Sequence, residues 1–529
     1  MINSIKTPSF FRPTSRPSSP APLATTPRPD SVERTPRPLT KLSSLSNFRR
    51  PSPAPTSPVA PVPLVQDGSY LETLALKLSE AVSKALVQPI GPSVVNDLVG
   101  GKRPIPTGRG KALGALIASE LAATRENPHL NRAILRSLLR PLSVLLSNLS
   151  AHLLPIISSP LFLSPPAPTV QAPNPSPTQL HALAIAAFAG EVLEVFDDLA
   201  LGHEGDARGD GLKVIREGLV SIVNRVVNPL VAGIRADMMP LLEALETPNS
   251  CNTTKIAYGV KNAPVPHQSI AALTSVIPVY ARALSRYTVS RYAQAALTPF
   301  LISVVWRGLV ALANRPYTPP SPPPSPGFVP SLLPKKRRGS ATITPPLTPP
   351  SARFSIKLPP SRPPSPPSVQ IPTTTAADAR ALCELLGGLP RPQDTNSTRL
   401  ANEAIAEAFD GLRALAPLLE AVQMVAPGGG QHLTETELEA LTEELPTLLA
   451  LSVLLNAYGT KSGRSVARML GLSEEEYRKG CLSGFGRADE CAAAVGQRIL
   501  DMLRRGEVAP EIVREWLEAE MADVAQGGN

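Results

Sequence analysis

One segment of this chain cannot sustain a helix or a strand, and it divides the sequence in two. Residues 316–376 contain 20 prolines, seven Lys or Arg residues and no Asp or Glu. Proline fixes the backbone angle φ and lacks an amide hydrogen, so neither helix nor sheet propagates through such a run. The segment also has too few large apolar side chains to offset the entropy that ordering would cost. We therefore expect a disordered linker between two folded regions.

Proline is also concentrated in residues 1–66, which hold 15, and in residues 160–178, which hold seven. Aromatic residues make up only 4% of the chain, so its cores must be built from Leu, Ala, Val and Ile, which favours helices over a β-sandwich. The sequence therefore predicts an all-α protein with two helical modules joined by long disordered proline-rich segments. The predicted boundaries are a disordered basic tail at 1–66, a helical module at 67–315 whose insertion at 160–178 loops out, a disordered basic linker at 316–376 and an acidic helical module at 377–529.

Apolar residues recur with helical spacing in both modules. Ser69 with Glu72 has the spacing of a capping box and predicts the start of the first helix. The pairs Thr434 with Glu437 and Ser473 with Glu476 have the same spacing. Further helices are predicted at 109–125, 130–154, 178–200, 210–245, 268–287, 289–314, 377–387, 398–424, 434–457, 463–471, 473–482, 487–505 and 510–524, several of them kinked or broken by prolines at 141, 229, 240, 278 and 299.

The net charge of +9 is unevenly distributed. Residues 316–376 carry seven basic and no acidic groups, giving +7, whereas residues 377–529 carry 14 basic and 24 acidic groups, giving −10. A basic coil can bind nucleic acid nonspecifically, or it can fold back on the acidic module. No helix carries the basic face that sequence-specific DNA binding requires.

The linker contains a cluster of four cations, Lys335, Lys336, Arg337 and Arg338, directly after a proline. This pattern resembles a monopartite nuclear import signal, which lies in an acidic groove of an import receptor. The alternative interpretation is a solvated charge cluster that keeps the linker soluble. The sequence thus predicts a protein of the nucleus, the cytoplasm or both.

Several hydroxyl groups of the unfolded segments match kinase patterns. Ser340 follows two arginines, as in sites of basophilic kinases, and many Ser/Thr-Pro pairs match proline-directed kinases, although such pairs also arise by chance in a Ser/Pro-rich coil. Each phosphate would add about −1.5 to −2 charge. The candidate phosphorylation sites are Ser15, Ser340, Thr344, Thr348 and Ser365.

The tail and the linker also contain two short sequence patterns that predict binding of partner proteins. Ser15 and Ser365 each lie in an Arg-x-x-Ser-x-Pro sequence, which 14-3-3 proteins recognise once the serine is phosphorylated. Lys357, Pro360 and Pro363 fit a basic-x-x-Pro-x-x-Pro ligand of SH3 domains. Both patterns are short, and chance matches in a proline-rich coil are the competing explanation.

The sequence holds no recognised catalytic, phosphate-binding or metal-binding motif. Its four cysteines, Cys251, Cys383, Cys481 and Cys491, lack metal-ligand spacing and are predicted to be free thiols in a reducing compartment. We therefore expect no cofactor, no metal and no enzyme activity.

Residues 142–163 raise a membrane alternative, because they carry no formal charge over a length that could span a bilayer. Asn148, His152, two prolines and five serines in this stretch favour a buried core helix followed by an apolar loop, so no transmembrane span is favoured. The predicted function is a non-enzymatic regulatory scaffold or adaptor that is controlled by linker phosphorylation and able to enter the nucleus. The alternative is a membrane-associated helical protein that uses residues 142–163.

Overall fold

The computed structural model describes residues 66–87, 99, 103–203, 211–248, 265–316, 373–425, 433–458, 465–505 and 511–527. Within these ranges the chain forms sixteen α-helices and no β-strand, which confirms the all-α prediction. Eight helices precede the linker: α1 Gln66–Leu86, α2 Arg109–Ala123, α3 Pro128–Ile157, α4 Pro177–Asp198, α5 Leu212–Glu243, α6 Gln268–Tyr287, α7 Arg291–Gln294 and α8 Leu297–Ala313. Eight follow it: α9 Thr375–Gly387, α10 Arg399–Val425, α11 Glu435–Thr442, α12 Thr447–Tyr458, α13 Val466–Leu470, α14 Glu474–Cys481, α15 Phe485–Arg505 and α16 Glu511–Gly527. The predicted disorder of residues 1–66 and of most of 316–376 lies outside the described residues.

The centre of the fold is α5, which packs against α3, α4, α6 and α8. Its inner face is formed by apolar residues at helical spacing, including Leu219, Val226, Val227 and Ile234, all of which are buried. Burying a Leu, Ile or Val side chain contributes about 1.5–3 kcal/mol. A helix with such a continuous inner stripe is therefore held mainly by tertiary packing.

Helices on the two sides of the linker share one core. The α8 helix packs against α10 and α12, and α9 packs against α6 as well as α10. The described residues belong to one compact unit, and their buried apolar side chains form a single cluster. Residues 316–372 therefore interrupt the sequence of one core and do not separate two cores.

The prolines at 141, 229, 240 and 278, where a kink or a break was predicted, do not end their helices, whereas the helix predicted at 289–314 is divided into α7 and α8. The α3 helix continues through Pro141, α5 through Pro229 and Pro240, and α6 through Pro278. A proline in a helix interior costs about 3 kcal/mol or more. The buried residues on both sides of each proline offset that cost. Pro299 lies in the first turn of α8, where the missing amide hydrogen has no helical partner to lose.

The insertion at 160–178, which was predicted to loop out, connects α3 to α4 and contacts the core through a few buried residues. Residues Pro160–Leu163 form a 3₁₀ turn in which Phe162 is buried. The side chain of Gln179 donates a hydrogen bond of 3.0 Å to the Phe162 carbonyl. The Pro166 carbonyl approaches α5 so closely at Gly233 that a Cβ atom there would collide with it. The apolar side chains in this segment explain its attachment.

The predicted helix starts have different outcomes. Thr434 and Ser473 form capping boxes at the starts of α11 and α14, as predicted. Ser69, in contrast, lies inside α1, which begins at Gln66, so the predicted start there is wrong. The predicted helix at 434–457 is two helices, α11 and α12, because the chain turns at Pro446.

Three helical stretches are long and apolar enough to cross a membrane by length and composition: Pro177–Asp198, Leu212–Glu246 and Arg291–Ala313. Between 44% and 61% of their most apolar windows is buried within the fold. In residues 142–163, Leu142, Leu145, Leu149 and Leu153 form a buried face of α3, whereas Val144 and Leu154 on the same helix are exposed.

Candidate functional site

The two ends of the linker meet at a buried ion pair. Arg315 lies two residues after α8, and Asp378 lies in the first turn of α9. The Arg315 Nη1 atom is 2.6 Å from the Asp378 Oδ2 atom, and the two side chains are 5% and 1% exposed. The other carboxylate oxygen of Asp378 accepts a hydrogen bond of 2.6 Å from the Thr373 hydroxyl. This junction, which we call the loop base, holds the chain at both ends of residues 316–372.

A second chain crossing lies at the loop base. The Thr373 amide donates a hydrogen bond of 3.1 Å to the carbonyl of Val265, which lies three residues before the start of α6. His267 caps α6, because its Nδ1 atom accepts a hydrogen bond from the Ser269 amide at 3.1 Å. Its Nε2 atom is 3.0 Å from the Thr247 carbonyl.

The electrostatic state of His267 follows from these contacts. Burial lowers the pKa of His267, and the nearby Arg315 guanidinium lowers it further, against opposing contributions from the Thr247 carbonyl and Asp378. The imidazole is therefore neutral at pH 7, with its proton on Nε2 and its Nδ1 lone pair free to accept. The loop base thus contains one compensated pair of charges and a neutral histidine.

A second junction joins α8 to the corner between α14 and α15, across the linker. The buried Trp306 indole donates a hydrogen bond of 2.8 Å to the Leu482 carbonyl. The Trp306 and Phe485 rings lie 4.5 Å apart at an interplanar angle of 55°. Nearby, Arg478 forms an ion pair with Glu246, which ends the 3₁₀ turn Ala244–Glu246 that follows α5. Aromatic pairs and buried hydrogen bonds of this kind each contribute on the order of 1 kcal/mol.

A groove of about 440 Å³ lies between α9 and α10. Three arginines and one carboxylate, Glu384, line it. Arg380 pairs with Glu420, Arg413 pairs with Asp410, and the Arg391 guanidinium stacks 4.6 Å from the centre of the Phe409 ring. Cys383 also lines the groove, and burial raises the pKa of its thiol.

Within the described ranges, no group of three or more His, Cys, Asp or Glu side chains is arranged to hold a metal ion. The predicted linker and tail sites all lie outside the described residues: Ser15, Lys335, Lys336, Arg337, Arg338, Ser340, Thr344, Thr348, Lys357, Pro360, Pro363 and Ser365. They stay predictions. The loop base was not found from the sequence, because Arg315 and Asp378 are far apart in the chain and match no local pattern.

Comparison of the chain with protein-family models, with curated proteins and with solved structures finds no match.

Proposed function

We propose that this protein is a non-enzymatic regulatory scaffold or adaptor whose helical core presents residues 316–372 as a loop closed at its base. The observation that carries the proposal is the buried pair Arg315–Asp378, which fixes the chain at both ends of the segment. A segment that is rich in recognition patterns and anchored on a rigid core suits the presentation of short motifs to partners.

The cation cluster Lys335–Arg338 lies far along the chain from both anchored ends, so an import receptor could reach it without disturbing the core. Ser340 is two residues beyond Arg338. Its phosphate would add about −1.5 to −2 charge beside four cations and would weaken their attraction to an acidic receptor groove. Phosphorylation at Ser340 would thus lower nuclear entry.

The localisation of a fluorescently tagged full-length chain tests this proposal. Changing Lys335, Lys336, Arg337 and Arg338 to Ala is expected to abolish nuclear accumulation. A matched control removes basic charge from the same segment but spares the cluster, through Arg353→Ala and Arg362→Ala. Loss of nuclear signal only in the cluster variant supports the proposal, whereas equal distribution of all three proteins would reduce the cluster to a solvated charge run.

Partner docking is tested separately. Binding of a 14-3-3 protein is expected only after phosphorylation and is expected to be lost when Ser15 and Ser365 are both changed to Ala. Binding of an SH3 domain is expected to be lost in the Pro360→Ala, Pro363→Ala double variant and weakened by Lys357→Ala. Retention of both interactions in these variants would remove the two docking motifs from the proposal.

A second candidate function is membrane association through residues 142–163. The observation that favours it is the exposure of Val144, Leu154, Leu161 and Leu163, which present apolar surface at the end of α3 and in the following turn. Changing Leu161 and Leu163 to Ser is expected to abolish co-sedimentation with anionic vesicles if this surface contacts lipid. Absence of binding by the unmodified chain would end this alternative.

A further inference from the structure

The corner between α14 and α15 brings two cysteines together. Cys481 is the last residue of α14, and Cys491 lies in the second turn of α15. The Cys491 Sγ atom is 3.8 Å from the carbonyl oxygen of Gly480, the residue beside Cys481. Arg487 reaches the same carbonyl, with its Nε atom at 2.7 Å. Three side chains thus converge on one turn of backbone.

The two thiols interact with each other and with Arg487. Burial, a hydrogen bond with Cys491 and the charge of Cys491 together raise the pKa of Cys481 to about 11, while the Arg487 cation opposes this shift. Both cysteines are half-buried, so neither is sealed in the apolar core. A small reagent can therefore approach them.

The location gives this pair a structural consequence. The residues between the cysteines include Leu482 and Phe485, both of which contact Trp306 of α8. Cys383, in contrast, lines the groove between α9 and α10, apart from this corner. A covalent bond between Cys481 and Cys491 would restrain the α14–α15 corner, which contacts Trp306 of α8.

We propose that Cys481 and Cys491 are a reversible dithiol–disulfide site that is oxidised by a low-molecular-weight disulfide such as oxidised glutathione. The thiolate of one cysteine attacks a glutathione sulfur, the glutathione S–S bond breaks, and one glutathione thiolate leaves with a proton from solution. The second cysteine loses its proton and attacks the protein sulfur of the mixed disulfide, which forms the Cys481–Cys491 bond and releases the second glutathione as a thiolate that takes up a proton from solution. Two protein thiols are oxidised to one disulfide, and one glutathione disulfide is reduced to two thiols.

The test uses the reduced full-length chain, which has four cysteines. After incubation with oxidised glutathione, free thiols are counted by a maleimide gel-shift and linked peptides are identified by mass spectrometry. The expected result is the loss of two thiols, a Cys481–Cys491 linked peptide and complete reversal by dithiothreitol. Cys481→Ser and Cys491→Ser should each abolish the linked peptide, and Cys383→Ser should leave it unchanged.

A parallel sample in concentrated urea separates native proximity from chance pairing. The site predicts that the 481–491 link forms at least tenfold faster in the folded chain than in the unfolded one. Equal rates in both samples would overturn the proposal. So would separate glutathione adducts that persist on the two cysteines of the folded chain.

Discussion

The buried pair at the loop base offers the sharpest energetic test of the fold. Changing Asp378 to Ala removes the acceptor of Arg315 at 2.6 Å and of the Thr373 hydroxyl at 2.6 Å. The arginine side chain, which is only 5% exposed, is then left as an unpaired charge in the core. Breaking a buried pair in this way costs about 3–5 kcal/mol, because solvent cannot replace the lost partner.

The assay is urea unfolding of the full-length chain, followed by far-ultraviolet circular dichroism. Two comparisons isolate the unpaired charge. Glu243→Ala removes the partner of Arg307 in a pair whose side chains are 49% and 30% exposed, and it should cost no more than about 1 kcal/mol. The double variant Arg315→Met, Asp378→Leu replaces both charges by apolar groups and should recover most of the lost stability.

Two results would refute this reasoning. One is a loss in Asp378→Ala no larger than the loss in Glu243→Ala, which would mean that water reaches the loop base. The other is a double variant as unstable as the single one, which would show that packing and not the unpaired charge determines the loss.

Three further predictions concern other parts of the fold. Trp306→Phe removes the donor to the Leu482 carbonyl and should lower the free energy of unfolding by about 1–3 kcal/mol in urea titrations. An unchanged free energy of unfolding would show that this hydrogen bond does not stabilise the junction. The pKa of Cys481 is raised to about 11, so its thiolate fraction should rise about tenfold per pH unit between about pH 7 and 9. Its rate of alkylation by iodoacetamide, followed by peptide mass spectrometry, should rise in the same proportion. A plateau of the rate in that range would contradict the raised pKa. Gly233→Ala places a methyl group against the Pro166 carbonyl and should destabilise the chain by about 1–3 kcal/mol, whereas Gly480→Ala meets open space and should gain up to about 1 kcal/mol; equal thermal midpoints would refute the close approach.

The sequence predicts the helices well because helix formation leaves local signals. Periodic apolar residues located α2, α4, α6 and α10 to within a few residues, and the Thr434 and Ser473 capping boxes are confirmed. The effect of an internal proline is not set by the local sequence alone. It is a strong local penalty, but α3, α5 and α6 bury enough apolar surface to keep their helices continuous.

Contacts between distant residues could not be predicted in the same way. Trp306 meets Leu482 and Phe485, and Arg315 meets Asp378, although no spacing or motif in the sequence connects these residues. The proline-rich linker suggested two separate cores because its composition describes only the segment itself. It carries no information about whether the flanking helices pack together. The same limit applies to the thiol pair, which lacks metal-ligand spacing and meets only through the α14–α15 corner.

The central claim is that helices before and after the linker form one core that presents residues 316–372 as a closed loop. Cleavage at a single engineered protease site between residues 350 and 351 tests it most directly. We predict that the two fragments elute together in size-exclusion chromatography and separate only in denaturant. Two separately eluting fragments in native buffer, each with helical circular dichroism, would contradict the claim and restore two independent modules.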